Sequence, residues 1–135
     1  MQLTRNTQAT STPGPSDWFT GAVLIDAVAA PQPPSRVVAS LVHFAPGART
    51  AWHTHPLGQT MYVIEGLCLC SNRDGTVERL GPGDRMYFEP GEEHWHGATL
   101  QRFMTHLAIQ EVDESGAPVT WGAPVTDAEY AAAAA

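Results

Sequence analysis

Glycine and proline cut this chain into short pieces. Pro31-Gln32-Pro33-Pro34, Pro46-Gly47, Gly81-Pro82-Gly83-Asp84 and Pro90-Gly91 each end whatever regular structure precedes them, and eleven Pro and twelve Gly are spread over 135 residues. Proline removes a backbone donor and fixes φ, while glycine admits the left-handed turns that other residues avoid. Punctuation this frequent suits short strands joined by tight turns better than a helix bundle.

Between the breaks the apolar pattern has a period of two. Arg36 to Phe44 places Val38, Ser40, Val42 and Phe44 on one face, with Val37, Ala39, Leu41 and His43 on the other. Leu100 to Glu111 is the longest strand expected, with Met104, His106, Ala108 and Gln110 sharing a face. Thr20–Ile25, Gln59–Glu65, Leu67–Ser71, Thr76–Leu80 and Met86–Phe88 read as further strands, the turn Asn72–Gly75 making a hairpin of its neighbours. Eight or so strands with tight turns imply an all-β sandwich or barrel of jelly-roll type. Residues 1–16 read as a polar arm and 17–125 as the barrel. Residues 126–135 form a tail, in which Thr126-Asp127-Ala128-Glu129 has capping-box spacing and starts a short helix. The five terminal alanines carry no pattern.

At 43% apolar and 16% charged, the chain is a globular protein of one domain rather than a disordered one. Its net charge of −7 argues against nucleic acid or an anionic membrane surface as partner. The longest apolar run, Ala22 to Ala30, is broken by Asp26 and is too short to span a membrane. No secretory pattern stands at the N-terminus, so a cytoplasmic location is expected. Cys68 and Cys70 would point the same way from one strand, roughly 6.5–7 Å apart, a poor disulfide geometry. They are expected reduced and buried.

Five of the six histidines, His53, His55, His94, His96 and His106, fall in the second half of the strand system. On an extended segment His53 and His55 project the same way, and a third imidazole from a distant strand would close a metal face. Imidazole suits Zn, Mn, Fe, Ni or Cu, and spacing alone selects none of them.

These residues resemble a known family. Gly47, His53-x-His55, Gln59 and Gly66 match the first cupin motif in every spacing, with Gln59 where the family usually has Glu. Gly83-Asp84 and Pro90-Gly91-x-x-His94 resemble the second motif, with the proline at 90 rather than 89 and Ala98 in place of the closing Asn. The resemblance implies a small cupin β-barrel with His53, His55, Gln59 and His94 as metal ligands. A closer similarity, carried by residues 17–21, 46–60, 90–98 and 104–111, is to the bacterial cupin hydroxynitrile lyases. It implies cleavage of aromatic cyanohydrins such as (R)-mandelonitrile to aldehyde and cyanide, the reverse addition, and a homo-oligomer, dimer or tetramer. It also implies Mn²⁺, with Fe²⁺, Zn²⁺ or Ni²⁺ as alternatives.

Three neutral imidazoles and a neutral amide would leave a divalent ion its full charge, which favours an anion beside it. By parity His106 shares a face with Gln110, so it is the expected general base, with Thr50 and Gln110 as hydrogen-bond partners of the substrate oxygen. Ser40, Val42, Phe44 and His96 are expected to line the substrate pocket. Met61, Tyr87, Trp52 and Trp95 read as core, and Arg49 and Glu92 as surface or interface charges. Two other functions remain open at this point: another metal-dependent cupin enzyme, an oxygenase or isomerase on a small aromatic or keto acid, and a non-catalytic small-molecule-binding cupin.

Overall fold

The computed structural model describes residues 1–135. Thirteen strands run in chain order: β1 (Thr12–Pro13), β2 (Phe19–Thr20), β3 (Val23–Ala29), β4 (Val37–Phe44), β5 (Arg49–Thr50), β6 (His53–Thr54), β7 (Gln59–Gly66), β8 (Cys68–Asn72), β9 (Val77–Leu80), β10 (Arg85–Phe88), β11 (His94–Ala98), β12 (Met104–Glu111) and β13 (Thr120–Trp121). Helix α1 (Asp127–Ala134) follows. One sheet has the order β1-β3-β4-β12-β7-β10; in the other β11 is central, between β8 on one side and β5 and β6 on the other. All pairings are antiparallel.

The faces meet as period-two alternation requires. Val42, Phe44, Met61, Val63 and Met104 from the first sheet pack against Phe19, Cys68, Cys70, Leu80 and Ala98 from the second. This is a jelly-roll barrel. Both cysteines are free and buried in this core. A second, smaller core lies outside the β8–β11 face, where Leu69, Trp52 and Trp95 are covered by Val125, Tyr130 and Ala133. Thr126 caps α1, its side chain accepting from the Glu129 N–H while Glu129 accepts from the Thr126 N–H. Four of the five terminal alanines, patternless in sequence, continue this helix to Ala134. It is far too short to cross a membrane, and no helix of the protein is long and apolar enough to do so.

Some expectations change. The run Thr20–Ile25 divides at Gly21, whose φ of +84° sends β2 into one sheet and β3 into the other. The strand expected from Leu100 begins at Met104; the preceding residues turn so that the Phe103 carbonyl reaches Gly66 and Leu67. Arg49 is buried, not at the surface: its guanidinium donates to the Val125 carbonyl and pairs with Asp127, and it stacks over the Tyr130 ring.

The outer face of the six-stranded sheet carries exposed apolar side chains around a polar patch in which His43 bonds Asp26 and Thr105. Leu24, Val28, Val37, Tyr62, Ile64, Phe103 and Ile109 are all exposed there, by the same alternation that turns their neighbours inward.

Candidate metal centre and active-site cavity

Strand pairing brings distant histidines to one end of the barrel. His53 on β6 lies directly opposite His94 on β11, and Gln59, the first residue of β7, lies opposite Gln110 on β12. His55 follows β6 at once. Ring centroids are 4.3 Å apart for His53 and His94, 5.0 Å for His53 and His55, and 5.5 Å for His55 and His94. All three rings are buried.

Their hydrogen bonds fix which nitrogen is bare. Nδ1 of His53, His55 and His94 lies 2.9, 2.8 and 2.9 Å from the carbonyls of Ala51, Pro118 and Glu92. A carbonyl only accepts, so each Nδ1 carries the proton and donates, leaving Nε2 as a lone pair. The rings are neutral at pH 7. Burial lowers the pKa of His53 well below 6.5, with the charges of His94 and His55 adding to it; burial also lowers that of His55, and takes His94 to about 4.

The consequence is a group of acceptors without donors. Gln59 Nε2 donates to Gln110 Oε1 at 3.3 Å, so its Oε1 faces the bare Nε2 of His94, also at 3.3 Å. Two lone pairs turned on each other in a buried site repel, and a cation between them removes the repulsion. The buried Nε2 of His55 likewise has no hydrogen-bond partner. Three imidazole nitrogens and an amide oxygen form a donor set that fits a divalent metal ion. A second three-histidine group overlaps it: ring nitrogens of His53, His94 and His96 all lie within 4.8 Å of one another. His96 differs in its anchor, since its Nδ1 meets His106 Nε2 at 3.2 Å rather than a carbonyl.

A cavity of about 410 Å³ opens beside these donors. Ser40, Val42, Phe44, Thr50, His53, His55, Gln59, His96, His106 and Gln110 all line it, as do Ile25 and Ala108; His94 stands behind, fully buried. Thr50 Oγ1 accepts from the His96 N–H, which leaves its hydroxyl proton for the cavity. Gln110, with Oε1 committed to Gln59, has its NH2 left to donate.

His106 is where parity puts it, but its titration is not that of an ordinary imidazole. Burial pushes its pKa down to about 3, and burial beside His106 and His53 lowers that of His96. The two neutral rings share one proton across their 3.2 Å contact, so of their outer nitrogens, His106 Nδ1 and His96 Nε2, one is bare and one protonated. Neither has another partner in the fold.

Part of the cavity lining is aromatic in a way the sequence does not announce. Trp18 and Trp121 stack at 5.2 Å with planes 8° apart, and Trp121 sits 4.8 Å from the His53 ring. Trp121 and Val119 lie in a Gly- and Pro-rich stretch without periodicity, and the Pro118 contribution is a backbone carbonyl, which no side-chain motif marks. The remaining signal was an isolated Trp between breakers.

Residues 40–107 match the family model described as Cupin domain. The chain is 49% identical over 130 residues, 96% of its own length and 98% of the relative's, to an (R)-mandelonitrile lyase of Granulicella tundricola. Among solved structures it is similar to a cupin-like protein of Thermotoga maritima, with 33% identity, coverage of 90% and 92% of the two chains and a TM-score of 0.84. It also shares its fold with the polyketide cyclase RemF of Streptomyces resistomycificus, at 20% identity and a TM-score of 0.68 over 96% of this chain and 90% of that one. With the motif spacing, the jelly-roll barrel and the inward-facing histidines, these matches show that the chain belongs to the cupin family.

Proposed function

We propose that this chain is a metal-dependent hydroxynitrile lyase that cleaves aromatic cyanohydrins of the mandelonitrile kind to aldehyde and cyanide, and catalyses the reverse addition. The observation that carries the reading is the meeting of bare donors with an apolar cavity of about 410 Å³, a size suited to one aryl ring and its substituents. The 49% identity to the (R)-mandelonitrile lyase, along nearly the whole of both chains, supports it.

His53, His55, Gln59 and His94 would hold the ion, and the amide oxygen among them favours a hard ion such as Mn²⁺. When bound, such an ion supplies a concentrated positive charge for the cyanide that departs. The chain's own residues do the rest. Val42, Phe44 and the Trp121 face receive the aryl ring and exclude water. Thr50 Oγ–H and the Gln110 NH2 donate to the substrate oxygen, whose negative charge grows as its proton leaves. His106, neutral at pH 7, takes the hydroxyl proton as the C–C bond breaks; the bonding pair leaves with cyanide. A buried imidazolium is costly, so the proton does not rest on His106 and passes on to the more basic cyanide. Ser40 and Val42 add no further acid or base.

The test is benzaldehyde release from each enantiomer of mandelonitrile, with Mn²⁺ and under anaerobic conditions. Release that needs the ion but not O₂ and favours one enantiomer supports the lyase. Release no faster than buffer, or turnover that needs O₂, overturns it.

We also infer that the chain works as a homo-oligomer, pairing with a second copy through the exposed apolar side chains on the outer face of the six-stranded sheet. A face four to five strands wide at ~4.8 Å spacing is of the order of a standard interface, ~800 Å² per partner.

A further inference from the structure

Gln59 is the one donor of the set that can present the wrong atom. An imidazole held by a carbonyl at Nδ1 has no choice, but a primary amide turned by half a revolution exchanges its oxygen for an NH2. That alternative is attractive to the ion-free site, because the NH2 would donate to the bare Nε2 of His94, 3.3 Å away, and satisfy both groups. An ion arriving at such a site would have to break that bond and turn the amide back.

One contact opposes the turn. Gln59 Nε2 lies 3.3 Å from Gln110 Oε1, on the neighbouring strand and in direct register. We propose that Gln110 is a positioning residue of the metal centre, its carbonyl holding the Gln59 amide so that Oε1 rather than Nε2 faces His94 and the ion. This rests on the metal-centre reading above and adds to the donor role of the Gln110 NH2. Both atoms of a carboxylate are oxygens and need no orientation; a glutamine needs a neighbour that accepts from its NH2.

The claim is tested by Mn²⁺ affinity, not by turnover, using calorimetric titration of chelator-stripped protein. Four variants are compared with the parent: Gln110→Met, Gln110→Glu, Gln59→Glu, and Gln59→Glu with Gln110→Met. Gln110→Met removes the acceptor at nearly constant volume, and affinity should fall about tenfold, the size expected for one buried hydrogen bond and the competing flipped state. Gln110→Glu presents only acceptors to the Gln59 NH2 and adds a negative charge beside the site, so its affinity should equal or exceed that of the parent. In the Gln59→Glu background the same Gln110→Met change should cost less than about twofold, because the carboxylate has no wrong atom. Affinity unchanged by Gln110→Met, or an equal loss in both backgrounds, overturns the inference. A parent protein that binds no Mn²⁺ overturns the metal-centre reading itself, a result distinct from either.

Discussion

In the proposed metal centre, one side chain sets the charge of the donor set. Gln59→Glu should bind Mn²⁺ more tightly, since it adds a negative charge to an otherwise neutral donor set, and should turn over more slowly, since it weakens the attraction for cyanide. Titration and kcat measured on the same sample check the two opposite signs. His106→Ala should keep its metal and lose about 10²- to 10⁴-fold in kcat, the range for removing a general base; a variant with full turnover and full metal would take that role from His106. The positions of these residues are legible in the sequence. His53 and His55 announce themselves by spacing, and the period of two carries His106 and Gln110 to one face. Their environments are not legible. The ordinary imidazole value suggested for His106 gives way to about 3 because three dimensions, not neighbours in sequence, decide its burial. The anchoring carbonyl of Pro118 is equally invisible to a motif.

The elements that sequence periodicity misses are those where function has replaced hydrophobic alternation. β11 reads His-Trp-His-Gly-Ala and is buried at every position, so no alternation of apolar and polar residues marks it, yet it is the centre of its sheet and carries two histidines. β13 is two residues long and pairs Trp121 with His53. The capping box, by contrast, is a local signal and places α1 correctly. What fastens α1 is long-range: Arg49 reaches the Val125 carbonyl and Asp127, and the Tyr130 hydroxyl donates to the Ala98 carbonyl at 2.6 Å. Arg49→Met should therefore destabilise the fold by about 2–3 kcal/mol in urea unfolding, by leaving the Val125 carbonyl buried without a donor, while the metal affinity of the folded protein stays within a few-fold. Loss of metal binding with unchanged stability would contradict that division between helix clamp and site.

For the whole molecule, the buried histidines make stability depend on pH. Below pH 6.5 the unfolded chain takes up protons on these rings, while the native rings resist until about 4 for His94 and about 3 for His106. The unfolded state thus binds more protons, and the metal-free protein should lose stability as pH falls from 6.5 toward those values, by up to about 1.4 kcal/mol per pH unit for each such ring. Thermal melts of metal-free protein between pH 7.5 and 5 read this directly; an unchanged Tm would mean that the rings are not buried neutral. The exposed apolar side chains of the outer sheet face belong to the same scale, and Phe103→Glu with Ile109→Lys should dissociate the proposed oligomer in light scattering without emptying the metal site. The central claim is that one ion held by His53, His55, Gln59 and His94 makes this cupin a cyanohydrin lyase. The most direct measurement is benzaldehyde release from mandelonitrile as Mn²⁺ is added stepwise to chelator-stripped protein, with bound metal counted at each step. Activity that rises from buffer level in proportion to bound Mn²⁺ and stops at one ion per chain is the predicted result. Full activity without bound metal, or a filled site with no activity, would contradict it.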